Sequence, residues 1–142
     1  YLLWKYEDSI QNTGYSTGNC NIVSEQIEHI SPKLPPMGEP IATGYDVDEN
    51  NKYFDGFIDK ELNCLGNLML ISGSHNASIG NKPFSEKLLS YKSNPLLKQQ
   101  AEIQNFLVDK SIKWGVLEIK ERQEKIVEKF ALIKWNFDTV KT

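Results

Sequence analysis

The sequence lacks the features that most directly assign a chain to a structural class. Its two cysteines, Cys20 and Cys64, stand far apart, so neither a C-x-x-C zinc ribbon nor a disulfide framework is predicted. No apolar run approaches the ~18 residues of a membrane span, and no basic leader followed by an apolar run precedes Leu2. These absences favour a soluble, cytoplasmic protein.

An excess of positive charge is lacking too. The chain carries 16 lysines and arginines against 19 acids, a net charge of −3 that argues against a free-standing nucleic-acid binder. The distribution is uneven, because residues 39–61 hold seven acids and two lysines, whereas residues 77–98 hold four lysines and one acid. The basic stretch directly follows the segments that carry the candidate site, which is where a phosphate backbone would need to be neutralised.

The chain does have enough apolar material for one core. With 142 residues, 39% of them hydrophobic, it is most simply a single domain spanning residues 1–142. It opens on Tyr1 rather than on a methionine, which suggests a piece of a longer protein.

Hydrophobic periodicity predicts a mostly helical α+β fold. Apolar residues recur at helical spacing in five stretches: 2–12, 51–63, 95–108, 114–135 and one that begins at Pro83. Short alternating or apolar runs predict strands over residues 22–30 and 67–72, with Gly73 and Ser74 as the turn that follows. Residues 31–52 hold four of the six prolines and many polar residues, so they are predicted to form a long irregular loop.

Two segments carry the side chains with chemical potential. The first contains Glu28 and His29 side by side, and about forty residues on lie two asparagines, Asn67 and Asn76, nine positions apart. A carboxylate with amide oxygens is typical of a site for a hard cation, and a neighbouring imidazole is well suited to take a proton from water near neutral pH. The two segments together predict a one-metal phosphodiesterase site.

The strand pattern complicates this prediction, because neighbouring residues of a regular strand point to opposite faces. Glu28 and His29 could then not both address one phosphate, unless the strand ends or bulges there. Pro32 favours an ending, since it lacks a ladder donor and restricts the residue before it.

The order strand, strand, helix around these residues resembles the ββα-metal finger of HNH nucleases. It is more closely similar to the C-terminal domain of GmrSD-type, modification-dependent restriction endonucleases. Three stretches carry the resemblance: Ile27-Glu28-His29-Ile30-Ser31-Pro32, Leu65-Gly66-Asn67-Leu68-Met69-Leu70 with Asn76, and Asn81-Lys82-Pro83-Phe84. The opening and closing helices match as well, so the resemblance covers nearly the full chain and implies that this is the C-terminal part of a longer protein.

The resemblance implies a role for each polar residue of the site. His29 would be the general base, Glu28 and Asn76 would hold a divalent metal, Mg²⁺ or Mn²⁺, and Asn67 would orient the site. The second ring nitrogen of His29 needs an acceptor, for which Asn67 or a backbone carbonyl of the second strand is the candidate. Glu28 departs from the aspartate of many HNH sites by one methylene, which would shift the ion.

Other interpretations of these residues stay open. His29 could be a partly buried structural histidine, Glu28 a surface acid and the asparagines turn residues. His75, Lys82 and Lys87 are weaker candidates for contacts with DNA phosphates, against an exposed loop histidine and two solvated lysines.

Arg122 has two open interpretations of its own. It lies on the charged side of the last predicted helix, whereas the resemblance suggests an inward, structural role.

The function implied by the resemblance is that of an HNH-type DNA endonuclease domain that hydrolyses phosphodiester bonds in the restriction of foreign or modified DNA. DNA is the expected partner, with an NTPase-like or modification-sensing domain earlier in the same chain, and two copies could assemble as a homodimer. The alternative is a catalytically inactive nucleic-acid-binding or assembly module that retains the HNH scaffold.

Overall fold

The chain forms a mostly helical α+β fold, as predicted. The computed structural model describes residues 1–11, 24–36, 43–93, 95, 97–108 and 111–135. Within these residues the helices are α1 (Leu2–Ile10), α2 (Phe57–Lys60), α3 (Gly73–Ile79), α4 (Phe84–Ser93), α5 (Lys98–Glu102), α6 (Val116–Ile126) and α7 (Leu132–Trp135). The strands are β1 (Glu25–His29) and β2 (Leu68–Ser72). Three short segments complete the described elements: 3₁₀ turns at Leu65–Asn67 and Ile103–Phe106, and a π-helical turn at Val127–Ala131 between α6 and α7.

The two strands pair in antiparallel register, with Glu28 opposite Met69 and His29 opposite Leu68. The predicted ending of the first strand is confirmed, since β1 stops at His29 without a bulge. The amide of Ile30 then donates to the carbonyl of Asn67 at 3.0 Å, which draws the chain after β1 against the turn before β2. Residues 22 and 23 of the predicted strand lie outside the described residues.

β2 is buried on both faces, which explains its continuous apolar sequence. Met69 and Ile71 pack into the larger hydrophobic cluster, which also contains the fully buried Trp114. Leu70 points the other way and packs with Leu3 of α1 and Leu97 in a second cluster. The strand therefore separates two parts of the core.

α3 follows β2 without a connecting loop and packs against both strands, so that β1, β2 and α3 form a ββα unit. The hydroxyl of Ser72 accepts a hydrogen bond from the amide of His75 at 3.3 Å and caps the helix. The turn predicted at Gly73 and Ser74 was wrong, because Ser72 begins a helix at once.

Two other predicted helices are shorter than the apolar spacing suggested. The helix predicted over residues 51–63 is limited to α2, and Tyr53 instead forms an isolated bridge with Val47. The ring of Tyr53 stacks on that of Phe57 at 4.3 Å, which accounts for apolar residues at helical spacing outside a helix. The helix predicted from Pro95 begins at Lys98.

Carboxylates from distant segments bind the amino-terminal ends of two helices. Glu7 of α1 is wholly buried, and its carboxylate accepts from the amides of Lys98 and Gln99 at 2.6 and 3.0 Å. Asp46 accepts from the amide of Val116 at 2.7 Å. Because the first amides of a helix have no partner within it, these contacts attach α5 and α6 to distant segments.

Arg122 lies wholly inside the protein. Its Nη1 donates to the carbonyl oxygens of Leu65, Gly66 and Leu68 at 3.0, 3.1 and 2.7 Å, and its Nε lies 3.7 Å from the carboxylate of Glu102. Of the two open interpretations, the inward structural role is correct, since Arg122 holds the turn before β2.

No helix in the described residues is both long and apolar enough to cross a membrane.

α6 approaches the turn before β2 so closely that only glycine fits at position 66. A Cβ on Gly66 would overlap the carbonyl oxygen of Ile119 in α6. The amide of Gly66 donates to Oε1 of Gln123 at 2.7 Å, which fixes the same contact from the other side. This packing sets the position from which β2 starts.

Gly66→Ala is therefore expected to lower the free energy of unfolding by about 3 kcal/mol, because α6 must move to admit the methyl group. Gly56→Ala is the matched control, since a Cβ there meets only the flexible end of Lys60 at 4.0 Å and strains only a left-handed backbone with φ of 86°. That strain costs roughly 1 kcal/mol. Denaturant unfolding measures both, and equal losses would contradict the close packing of α6.

Candidate functional site

A cleft with a volume of about 580 Å³ runs beside β1. Four of the predicted site residues line it: Glu28, His29, Asn76 and the weaker candidate Lys87. Consecutive residues of β1, Gln26 to His29, line the cleft, so side chains from both faces of the strand border it. The strand's alternation therefore does not keep Glu28 and His29 from sharing one cleft.

His29 is half-buried at the end of β1, and its ring is held by an asparagine that the sequence did not single out. Nε2 of His29 lies 3.0 Å from Oδ1 of Asn63. A carbonyl oxygen only accepts, so this contact is a hydrogen bond in the tautomer that carries its proton on Nε2, and that tautomer has its lone pair on Nδ1. The prediction that Asn67 or a carbonyl of β2 would hold the ring was wrong.

Asn63 carried a weak signal in the sequence. It is the last residue of the predicted helical stretch and stands four residues before Asn67, a position that is typical of a turn. Its relation to His29 depends on how the segment after α2 folds back on β1, which spacing does not show.

Glu28 is buried, with its side chain on the opposite face of β1 from His29. Its Oε1 accepts hydrogen bonds from Nζ of Lys87 at 2.6 Å and from the hydroxyl of Tyr91 at 2.9 Å. Among the hydrogen bonds of the described residues, both contacts use Oε1, which leaves Oε2 for a ligand. The open interpretation of Glu28 as a surface acid is wrong.

Lys87 is fully buried beneath the cleft and is not a solvated lysine. Besides Glu28, its ammonium donates to the carbonyls of His29 and Ile30 at 3.0 and 3.2 Å. Burial lowers the pKa of Lys87, and the carboxylate of Glu28 opposes that shift. The phosphate contact predicted for Lys87 would require the ammonium to leave these acceptors.

Asn76 extends from α3 to β1, where its Nδ2 donates to Oε1 of Gln26 at 2.8 Å. This contact orients the amide and leaves Oδ1, the atom that a cation or a donor would meet. Gln26 is a second residue that sequence reasoning did not select. Its place two residues before Glu28, on the same face of a strand, was the available signal.

Asn67 is fully buried, and all the hydrogen-bonding capacity of its amide is used. Oδ1 accepts from the amide of Ser31 at 2.8 Å and from Nε1 of Trp114 at 3.2 Å. Nδ2 donates to the carbonyls of Ser31 and Leu62 at 3.0 and 2.8 Å. Asn67 thus holds the backbone on either side of the site and does not contact the imidazole of His29.

His75 and Lys82 do not line the cleft. His75 lies in α3 rather than in an exposed loop, with Nδ1 3.1 Å from Nε2 of Gln100 and Nε2 2.7 Å from the hydroxyl of Ser90. Burial lowers the pKa of His75, which favours the neutral ring. Lys82 is exposed, 4.0 Å from the carboxylate of Glu86. Phosphate contacts by His75 and Lys82 stay predictions.

The donor set at the cleft fits a hard cation that keeps much of its hydration. No group of three histidine, cysteine or carboxylate side chains converges within the part of the chain that the structure describes. A cation here would have the carboxylate of Glu28 and the amide oxygen of Asn76, and would need water or substrate oxygens for the rest. This is the manner in which Mg²⁺ is commonly bound beside phosphates.

The family model for the C-terminal domain of GmrSD restriction endonucleases matches residues 1–129 of the chain. The chain belongs to this family. The resemblance seen in the motifs is thereby confirmed, and this GmrSD-type domain is a restriction-endonuclease C-terminal domain. No curated protein and no solved structure gives a match.

The amide of Asn67 is expected to be required for the stability of this GmrSD-type domain. Asn67→Ala should lower the free energy of unfolding by about 3 kcal/mol, because it leaves several buried donors and acceptors without partners. Asn63→Ala, at an exposed residue nearby, is the control and should change it by less than about 0.5 kcal/mol. Chemical denaturation distinguishes the two, and similar values would show that the Asn67 contacts are not needed.

The ion pair between Lys87 and Glu28 is expected to behave as a coupled unit. Lys87→Met should cost about 3–5 kcal/mol of unfolding free energy, since it leaves a buried carboxylate without its cation. Adding Glu28→Gln should recover part of that loss. A double-mutant cycle measures the coupling, and strictly additive effects would argue against the pair.

Proposed function

We propose that this GmrSD-type domain is a metal-dependent DNA endonuclease of the HNH type, which hydrolyses phosphodiester bonds in the cleft beside β1 with His29 as general base. The placement of His29 is the observation that carries the proposal. Its ring lines the cleft, one nitrogen is held by Asn63, and the other is left as a proton acceptor. A histidine with a purely structural role would have both ring nitrogens bonded within the protein, as those of His75 are.

The proposed chemistry follows from that tautomer. Nδ1 of His29 takes a proton from a water molecule, whose oxygen attacks phosphorus while the bond to the 3′ oxygen breaks. The developing imidazolium stays bonded to Asn63 through Nε2, so the ring keeps its orientation as its charge changes. A bound Mg²⁺ or Mn²⁺ would supply stabilisation of the charge on a non-bridging oxygen and on the departing 3′ oxygen.

Oε2 of Glu28 and Oδ1 of Asn76 would hold the cation. The support for this assignment is that each side chain is bound by a neighbour through its other polar atom, to Lys87 and Tyr91 in one case and to Gln26 in the other. Ligands held in this way lose little freedom when a cation binds.

The ammonium of Lys87 balances the negative charge of Glu28 at the cleft. It lies 2.6 Å from Oε1 of Glu28, so the pair contributes no net charge to the floor of the cleft. A lone buried carboxylate would repel a DNA phosphate, and Lys87 removes that repulsion without being exposed. Lys82 and His75 stay candidates for phosphate contacts outside the cleft.

The proposal includes DNA as the substrate. It also includes the restriction of foreign or modified DNA as the biological role and the cytoplasm as the location. The selection of modified DNA would fall to an NTPase-like or modification-sensing domain elsewhere in the same polypeptide. Two copies acting as a homodimer would allow both strands to be cut.

A catalytically inactive nucleic-acid-binding or assembly module is the second candidate. The observation in its favour is the burial of Glu28, whose carboxylate already bonds to Lys87 and Tyr91. In such a module the pair would serve stability alone.

Cleavage of supercoiled plasmid distinguishes the two functions. The wild-type domain should nick the plasmid with Mg²⁺ or Mn²⁺ and stop when EDTA is added, and His29→Ala should be slower by at least ~100-fold, the usual contribution of a general base. Gln104→Ala, at an exposed residue that does not line the cleft, is the control and should retain the rate. Equal cleavage by wild type and His29→Ala would remove the enzymatic proposal.

A further inference from the structure

Within the described residues, the side chains of Asn63 and His29 have no hydrogen-bond partner other than each other. Asn63 is exposed, and the hydrogen bond of its side chain within the described residues is the one to Nε2 of His29, at 3.0 Å. Nδ1 of His29 has no hydrogen bond to another described residue. Among the described residues, one amide oxygen is therefore the hydrogen-bond partner of the ring.

We infer that Asn63 is a positioning residue that selects the Nε2–H tautomer of His29 and so presents Nδ1 as the proton acceptor; the catalytic part of this inference rests on the proposed function. A neutral imidazole carries one proton shared between two nitrogens, and the acceptor on one side decides which nitrogen keeps it. The ring can reach the wrong tautomer, or rotate, when that acceptor is removed.

The fold holds Asn63 and His29 in register through the backbone. Nδ2 of Asn67 donates to the carbonyl of Leu62, one residue before Asn63, at 2.8 Å. Both atoms of the same amide bond to the backbone of Ser31, two residues after His29, at 2.8 and 3.0 Å. One buried side chain thus fixes the distance between the two segments that meet at the hydrogen bond.

A purely structural role for the contact is disfavoured by its position. Asn63 is exposed and its bond to His29 is exposed as well, where a neutral hydrogen bond contributes little to stability because water can replace it. The contact therefore affects mainly the orientation of the imidazole ring and the position of its proton.

The protein supplies its own control for a direct measurement, since it contains two histidines. At His75, the amide of Gln100 donates to Nδ1, which also places the ring proton on Nε2. Long-range ¹H–¹⁵N NMR spectra at a pH of about 9, where imidazole is neutral, report the tautomer of each ring separately.

In the wild-type protein both histidines should give the Nε2–H pattern. In Asn63→Ala the His29 signals should shift towards a mixture with the Nδ1–H tautomer, while those of His75 stay unchanged. Asn63→Asp keeps an acceptor at the same place and should keep the Nε2–H pattern. An unchanged His29 tautomer in Asn63→Ala would overturn the inference.

Activity gives the second arm of the test. Asn63→Ala should lower kcat for plasmid cleavage by roughly 10–100-fold, the range seen for groups that orient a reacting side chain, with KM little changed because DNA binding is not affected. A shifted tautomer with an unchanged kcat would overturn the positioning role. If the wild type itself cleaves nothing, the proposed function fails, while the spectra still decide whether Asn63 sets the tautomer.

Discussion

The side-chain amide of Asn67 is the contact on which the geometry of the site depends. Its four hydrogen bonds join the backbone after β1, the segment after α2 and the indole of Trp114. Each such bond is worth only about 1 kcal/mol net, but a buried amide with missing partners costs more than that. The arrangement is therefore close to all-or-none, and the position of His29 follows from it.

In the candidate site, each polar side chain has one atom bound within the protein and another that is available to a ligand. Glu28, His29 and Asn76 each use one polar atom on a neighbouring side chain and have another left over. The protein contacts limit the rotation of these side chains before any ligand arrives, so less conformational entropy remains to be lost on binding. Asn63 and Gln26, for which no role was expected, contribute to the site by binding His29 and Asn76.

The motif-bearing residues could be predicted from the sequence, whereas their supporting contacts could not. The alternation of β1 correctly placed Glu28 and His29 on opposite faces, and the apolar run of β2 gave the second strand. Lys87 looked like any solvated lysine, because its burial depends on α4 packing over the end of β1, 59 residues away in sequence. The start of α3 at Gly73 was missed because glycine and serine are typical turn residues, and the cap at Ser72 was not recognised.

Within the described residues β1 pairs with one other strand, so the backbone groups along its other edge have no strand partner. The edge of β1 that does not face β2 presents amide donors and carbonyl acceptors to whatever lies beside it. Substitutions alter side chains and leave the main chain in place. Alanine scanning of β1 would therefore record only part of what the strand offers to a bound molecule, and exchange of single amides for esters would record the rest.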